Sequence, residues 1–270
     1  MIENEKIPAS VGILTLNNAK ELPRTLESVR DFADVYICDG NSTDGTQDIA
    51  RRFGARVIKQ VETDEPSVRI TDFGATRTRC VNAGLYDWHI RVDSDEELSP
   101  EAVPEIRRIV ADPKPEFLVY IMPRKYKMRG RIIDLATTYP NRQMRFFNRR
   151  GIDGYTKITH ERVVVKPGVK IGLLKNCQYA PLPGTYDEFW RKFENGLRFD
   201  KKQSANMSFS RWLRSSLHTL ALSVLYFLRL INIQFRRGNK MPFRYELARQ
   251  KYLFLTWMIA TRNLFRLIKN

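Results

Sequence analysis

Short apolar runs and amphipathic stretches alternate along the first half of the chain. Val11-Gly12-Ile13-Leu14-Thr15-Leu16 reads as a buried strand. Asn17-Asn18 ends it, and a helix follows with Pro23 in its first turn and Leu22, Leu26 and Val29 on one face. Val35-Tyr36-Ile37-Cys38 predicts a second strand, closed by Asp39. The run from Gly40 to Thr46 is dense in turn and cap residues, with Gly45 suited to a left-handed backbone. It leads into a helix through Ile49, Ala50 and Phe53, stopped by Gly54. Arg56-Val57-Ile58-Lys59 is a third strand, Phe73 to Ala83 a helix and Asp87 to Val92 a fourth strand. Pro100 to Val110 forms a helix capped by Ser99, and Phe117 to Met122 another strand. Repeated β-α units predict an α/β fold with a mostly parallel sheet and right-handed crossovers.

Beyond Lys125 the rhythm fails. Met144-Arg145-Phe146-Phe147 and Arg162-Val163-Val164-Val165 are strand-like, separated by Gly151 and Gly154, and predict a mixed or antiparallel extension. Thr185 and Glu188 make a capping box that opens a helix carrying Phe189, Phe193 and Leu197. From Trp212 onward the chain is apolar and basic together. Leu217 to Leu228 is mostly apolar, but it contains His218 and lies between Arg214 and Arg229. It falls short of the ~20 apolar residues of a membrane span. Tyr252 to Ala260 is shorter, with Arg262, Arg266 and Lys269 following at helical spacing. Amphipathic helices in the plane of a bilayer interface fit this pattern; helices packed on the protein's own core are the plainer alternative. The pattern divides the chain into a domain over 1–184 and a helical extension over 185–270.

Charge sharpens that division. The chain has 46 Lys and Arg against 30 Asp and Glu, a net of +16. Residues 191–270 hold 17 of the basic and 3 of the acidic residues, a net of +14. The extension therefore wants an anionic partner, either a membrane surface or nucleic acid. Cys38, Cys80 and Cys177 are widely spaced and predict reduced thiols. The polar start lacks the apolar region of a signal peptide.

Candidate chemistry concentrates at Asp93-Ser94-Asp95-Glu96-Glu97. The fourth strand runs out there, where open α/β sheets bind ligands. Asp93 and Asp95 would share a face in an extended chain. Two carboxylates so close repel each other, and a divalent cation relieves them. The same residues also describe a solvated acidic turn ahead of a helix.

Residues Val11 to Thr46, with the Asp39-Gly40-Asn41-Ser42-Thr43-Asp44-Gly45-Thr46 run, and Asp72 to Leu98, with Asp93-Ser94-Asp95, resemble the family 2 glycosyltransferases of the GT-A fold. The branch most similar is that of the lipopolysaccharide-core β-glucosyltransferases, in which a His-Glu pair follows a strand-rich insert; here that pair is His160-Glu161. The resemblance implies that Asp95 binds Mg2+ or Mn2+, with Asp93 and His160 as further candidate ligands. Asp93 would hold the ribose or donor sugar and Asp39 the base or ribose. Glu161 would be the general base of an inverting transfer, with Glu96 and Asp153 as rivals. Arg77, Arg142 and Arg145 are candidate phosphate clamps, because guanidinium forks match phosphate oxygens. The implied enzyme moves a hexose from a nucleotide sugar, UDP-linked by default, to a glycan or lipid-linked acceptor. It would sit as a peripheral protein on the cytoplasmic face of the inner or plasma membrane, held by an anionic surface through 211–270, with nucleic acid not expected as a partner. Two alternatives compete: a sugar-phosphate nucleotidyltransferase, for which Asn17-Asn18-Ala19-Lys20 is a poor phosphate loop, and a non-enzymatic basic membrane- or nucleic-acid-binding module.

Overall fold

A computed structural model of the chain describes residues 5–156, 162–204 and 208–269. They fall into two compact units: residues 1–124 with 140–180, and residues 125–139 with 181–270.

The first unit carries the predicted β-α repeat. Its elements begin β1 (Ile7–Thr15), α1 (Leu22–Ser28), β2 (Phe32–Asp39), α2 (Thr46–Arg52), β3 (Arg56–Lys59), α3 (Phe73–Asn82) and β4 (Trp88–Asp93). Then come β5 (Glu97–Leu98), α4 (Ala102–Ala111) and β6 (Val119–Met128); β7 (Arg131–Ile132) falls in the second unit, and the first resumes with β8 (Asn141–Asn148). The last strands are β9 (Ile152–Thr156), β10 (Arg162–Val165), β11 (Ile171–Leu173) and β12 (Gln178–Pro181). The sheet is mixed, with strand order β3-β2-β1-β4-β8-β6-β12-β5. Its β3-β2-β1-β4 half is parallel, and β8 then runs antiparallel to both β4 and β6.

Alternation along each strand divides the sheet into two faces. Ile13, Ile37, Ile90 and Phe146 pack with Leu22 and Leu26 of α1 and Ile106 of α4 in the main core. Burying side chains of this kind contributes about 2 kcal/mol each. The opposite face takes Leu14, Tyr36 and Cys38 against Cys80 of α3. The contact there is close. A Cβ at Gly12 would lie 2.9 Å from both His89 Cε1 and Tyr36 Oη, so this position has no room for a side chain.

Local signals were read correctly at Gly45, whose φ of 86° is left-handed at the entrance to α2, and at Thr185, whose hydroxyl accepts from Glu188 N at 3.3 Å. Ser99 is a correction. Helix α4 starts later and its N-cap is Glu101; the Ser99 hydroxyl is buried and makes no hydrogen bond among the described residues.

The second unit holds β7 and three helices, α5 (Tyr186–Gln203), α6 (Phe209–Gln234) and α7 (Phe243–Lys269). Its core joins Ile133, Leu182, Phe189, Met241 and Tyr245. Buried Glu246 accepts from the backbone N–H of Thr137 at 2.9 Å and from its hydroxyl, which ties the 125–139 segment to α7. Helices α6 and α7 pair side by side through Ser223–Gln250 (2.6 Å) and Trp212–Thr261 (3.0 Å). The apolar run in α6 is part of a longer helix than its composition suggests. At 26 residues, α6 is long and apolar enough to cross a membrane by length and composition. The expectation that this segment is too short to span is corrected accordingly. Most of its exposed apolar residues share one face, and Arg211 and Arg229 lie off that face.

Candidate active site

Strand order reverses between β1 and β4, because β2 and β3 extend the sheet one way from β1 and β4 extends it the other. In open α/β sheets the crevice beyond the carboxyl ends of the strands at such a point is where ligands bind. Leu14 pairs with Asp93 and Thr15 with Asp39, so the ends of β2, β1 and β4 are level.

Asp93 is the centre of that edge. Alternation on β4 puts His89, Arg91 and Asp93 on the α3 side of the sheet. Arg77, projecting from α3, donates to Asp93 Oδ1 at 2.6 Å, and Arg145, from β8, donates to Oδ2 at 2.8 Å. Arg91 Nε lies 3.7 Å from Oδ1, and its guanidinium stands 5.8 Å over the Tyr155 ring. Burial would push the Asp93 carboxyl up, but Arg145, Arg77 and Arg91 override it and hold the group well below the usual carboxylate range.

Glu96 sits behind this pair and is fully buried. It accepts from Arg124 Nε at 2.6 Å, lies 3.4 Å from Arg145 and accepts from Gln178. Burial pushes its carboxyl up, Arg145 and Arg124 pull it down, Asp93 pushes it up again, and the result is raised. The described cluster brings four guanidinium groups, Arg77, Arg91, Arg124 and Arg145, around Asp93 and Glu96. Arg145 is 3% exposed, and its Nε and Nη1 make no hydrogen bond among the described residues. Buried charge of this sign, with N–H groups to spare, suits an anionic ligand.

Asp39 stands at the end of β2, level with Asp93 across β1. It is 1% exposed. Its two oxygens accept from Thr15 Oγ1 (2.7 Å), Ser42 N (2.7 Å), Ser42 Oγ (2.6 Å) and Gln47 Nε2 (2.8 Å). A carboxylate with four intramolecular donors is saturated, and here it ties the end of β2 to the loop that opens α2. Asp44 does the same one step on, accepting from Ala19 N at 3.0 Å and Thr46 N at 3.1 Å.

Asp95 lies just past the end of β4 and is half-buried. Among the described residues no three His, Cys, Asp or Glu side chains come together. Mg2+ is commonly held by one or two carboxylates plus substrate phosphates and waters. Asp95 fits that mode. Asp93 Oδ1 and Oδ2 each accept from an arginine in this structure. His160 and Glu161 lie outside the described residues. Of the rival bases, Glu96 is buried in the arginine cluster, whereas Asp153 is exposed on β9 beside Lys166. Arg142 is exposed and stands apart from the cluster that takes Arg77 and Arg145.

Sequence reading missed Arg91, Arg124, Tyr155 and Gln178. Arg91 was accessible, since it is two residues before Asp93 on the same strand face. Arg124 and Gln178 come from β6 and β12, whose pairing has no local signature.

The sequence model of Glycosyl transferase family 2 matches residues 10–165. An uncharacterized glycosyltransferase of Rickettsia typhi is 32% identical over 179 residues, covering 63% of this chain and 59% of that protein. A TPR repeat-containing protein of Synechococcus elongatus is 32% identical over 124 residues, covering 46% of this chain and 28% of that one. The chain thus spans at most about three fifths of the length of these curated relatives. Among solved structures, glucosyl-3-phosphoglycerate synthase from Mycobacterium tuberculosis with Mn2+, UDP and glucosyl-3-phosphoglycerate aligns at 23% identity. That alignment covers 48% of this chain and 46% of that one, with a TM-score of 0.34. S. aureus TarS 1-349 aligns at 15% identity over 95% of this chain and 88% of that one, with a TM-score of 0.44.

Proposed function

The chain belongs to glycosyl transferase family 2, and from that premise we propose an inverting hexosyltransferase that uses a nucleotide sugar, UDP-linked by default, and a membrane-associated glycan or lipid-linked acceptor. The observation that carries the reading is buried Arg145 beside Asp93 at the carboxyl ends of β1 and β4, whose Nε and Nη1 make no hydrogen bond among the described residues. A nucleoside diphosphate would supply acceptor oxygens for those N–H groups. Arg145 and Arg77 receive the diphosphate oxygens, and Asp93 holds both guanidinium planes in place while they do so. Asp95 would hold the divalent cation, whose chemistry when bound is to neutralise charge on the departing diphosphate. Glu161, as the resemblance implies, would take the proton from the acceptor hydroxyl.

The lipid side of the reading rests on the second unit. Phe209, Leu213, Leu217, Leu220, Val224, Phe227 and Ile231 recur every three or four residues along α6 and are all exposed. An apolar stripe of this length flanked by arginines matches a helix lying in an anionic bilayer interface. The reading is of a peripheral enzyme on the cytoplasmic membrane face, which the stripe supports.

The test is thermal stabilisation of the full chain by UDP, GDP and CMP, each with and without Mn2+. One nucleotide at a hundredfold excess over its Kd should raise the melting temperature by about 5 °C. Asp95→Asn should remove the metal-dependent part of that rise. Absence of stabilisation by all three nucleotides would overturn the reading.

A further inference from the structure

Helix α6 has a second face with chemistry of its own. Arg229, Asn232, Ile233 and Arg236, spaced by three and four residues, share one side of it. With Asp134 and Tyr139 they line a cavity of about 330 Å3. Its walls are tied together. Arg229 Nη1 donates to Thr137 O at 2.9 Å, Asp134 Oδ2 accepts from Asn239 N at 3.3 Å, and Leu135 O accepts from Met241 N at 2.8 Å.

The charges that line the cavity are not balanced. Asp134 pairs with Lys125 at 3.3 Å, and Glu246, which holds Thr137, pairs with Arg249 at 3.8 Å. Arg229 is half-buried, and neither it nor Arg236 pairs with a carboxylate among the described residues. The bond to Thr137 occupies one N–H of Arg229 and leaves others for a ligand. A half-buried guanidinium without a counter-ion favours an anion, and its planar fork matches phosphate. The two arginines stand two turns apart, about 10.5 Å along the axis, so an extended ligand reaches both and a lone ion does not. The cavity has the volume of about eleven waters, too large for a lone phosphate. Asn232 and the Asp134 carboxylate suit hydroxyl groups, and Tyr139 and Ile233 give an apolar wall for a sugar ring.

We propose that this cavity is a binding site for a phosphorylated saccharide. The phosphate meets Arg229, and the sugar hydroxyls reach Asn232, Asp134 and Arg236. The site goes beyond the transfer reaction and does not depend on it. A bilayer headgroup is the rival source of phosphate, and helix geometry disfavours it. Arg229 and Arg236 stand nine residues after Leu220 and Phe227, two and a half turns, and so project from the side of α6 opposite the apolar stripe. With the stripe in an interface, the cavity faces away from the lipid.

The experiment is calorimetric titration of the full chain with glucose 6-phosphate, glucose and inorganic phosphate. Glucose 6-phosphate should bind with a Kd of about 1 mM or tighter, and the other two at least about tenfold more weakly. Arg229→Gln should raise the Kd for glucose 6-phosphate about tenfold or more. Asn232→Asp should do the same, because it sets a carboxylate one turn from Arg229 while leaving the bond to Thr137 intact. That exposed position decides the matter even where Arg229→Gln does not fold. Unchanged affinity in Asn232→Asp would place the phosphate elsewhere on the protein and overturn the site, as would no binding of glucose 6-phosphate at all. Equal affinity for inorganic phosphate would overturn the saccharide. Asn232→Asp should float on phosphatidylglycerol vesicles as the wild type does; a loss of about tenfold would assign the phosphate to a lipid headgroup and overturn the soluble occupant.

Discussion

At Asp93 one carboxylate organises three guanidinium groups, and the arrangement is stable only because each member needs the others. Arg145 is buried, and it is held charged by Asp93 and Glu96 together. Removing one partner of such a buried group costs about 3–5 kcal/mol, because it strands the remaining charge. Two same-face positions earlier on β4, the chain makes the opposite choice. His89 is 2% exposed and stacks on Phe147 at a centroid distance of 5.4 Å. Its imidazole is kept neutral, mainly by burial and further by Arg149, which together lower its pKa to about 3. The unfolded chain binds a proton at this position near pH 6.5, the folded chain only near 3. The contribution is therefore present in full above pH 6.5 and is lost as pH falls toward 3. Its slope is about 1.4 kcal/mol per pH unit. His89→Gln, which cannot titrate, should be about 1 kcal/mol less stable at pH 7 and should overtake the wild type at about pH 6 in urea titrations. Parallel loss of stability in both proteins down to pH 4 would show that His89 does not supply the slope.

Elements differ in how much of themselves they declare. Strand β3 was read at its observed bounds, and α3 to within a residue, because an apolar run bounded by Gly or by an Asp cap is complete information about a local element. The carboxyl edge was legible too: a strand ending in Asp93 puts that residue at the crevice whatever lies beyond. What Asp93 touches was not legible. Arg145 reaches it through the antiparallel β4–β8 pairing, and pairing across 52 residues leaves no trace in a local pattern. The intramolecular partners of Asp39 were not legible either: Ser42 from the turn run and Gln47 from α2 both donate to its carboxylate. Helix α6 was underestimated because a count of consecutive apolar residues stops at an arginine, whereas a helix continues through one. Its exposed stripe predicts a separable effect. Glutamate at positions 213, 220 and 227 replaces only exposed leucines and a phenylalanine, so the melting temperature should stay within about 2 °C. Flotation with anionic vesicles should fall by about a hundredfold or more, as three apolar side chains are lost from the interface and three repelling charges are gained. Undiminished flotation would exclude the stripe as the contact surface.

Over the whole chain the net charge of +16 is divided between near-neutrality in the first 190 residues and +14 in the remainder. The two parts answer to salt in different ways. A cluster of buried ion pairs such as Asp93 with Arg77 and Arg145 is screened little by added salt, because water and ions are excluded from it. Exposed arginines facing a charged lipid surface are screened within a Debye length, which shrinks from about 10 Å at 0.1 M to about 3 Å at 1 M. Raising salt from 0.1 to 0.5 M should therefore release the protein from phosphatidylglycerol vesicles and change its affinity for UDP with Mn2+ by less than threefold, about 0.6 kcal/mol. Transfer to a water-soluble acceptor should follow the nucleotide affinity, and transfer to a vesicle-borne acceptor should follow the flotation. If both transfers respond alike to salt, the basic extension does not bring the enzyme to its acceptor, and its charge serves some other partner.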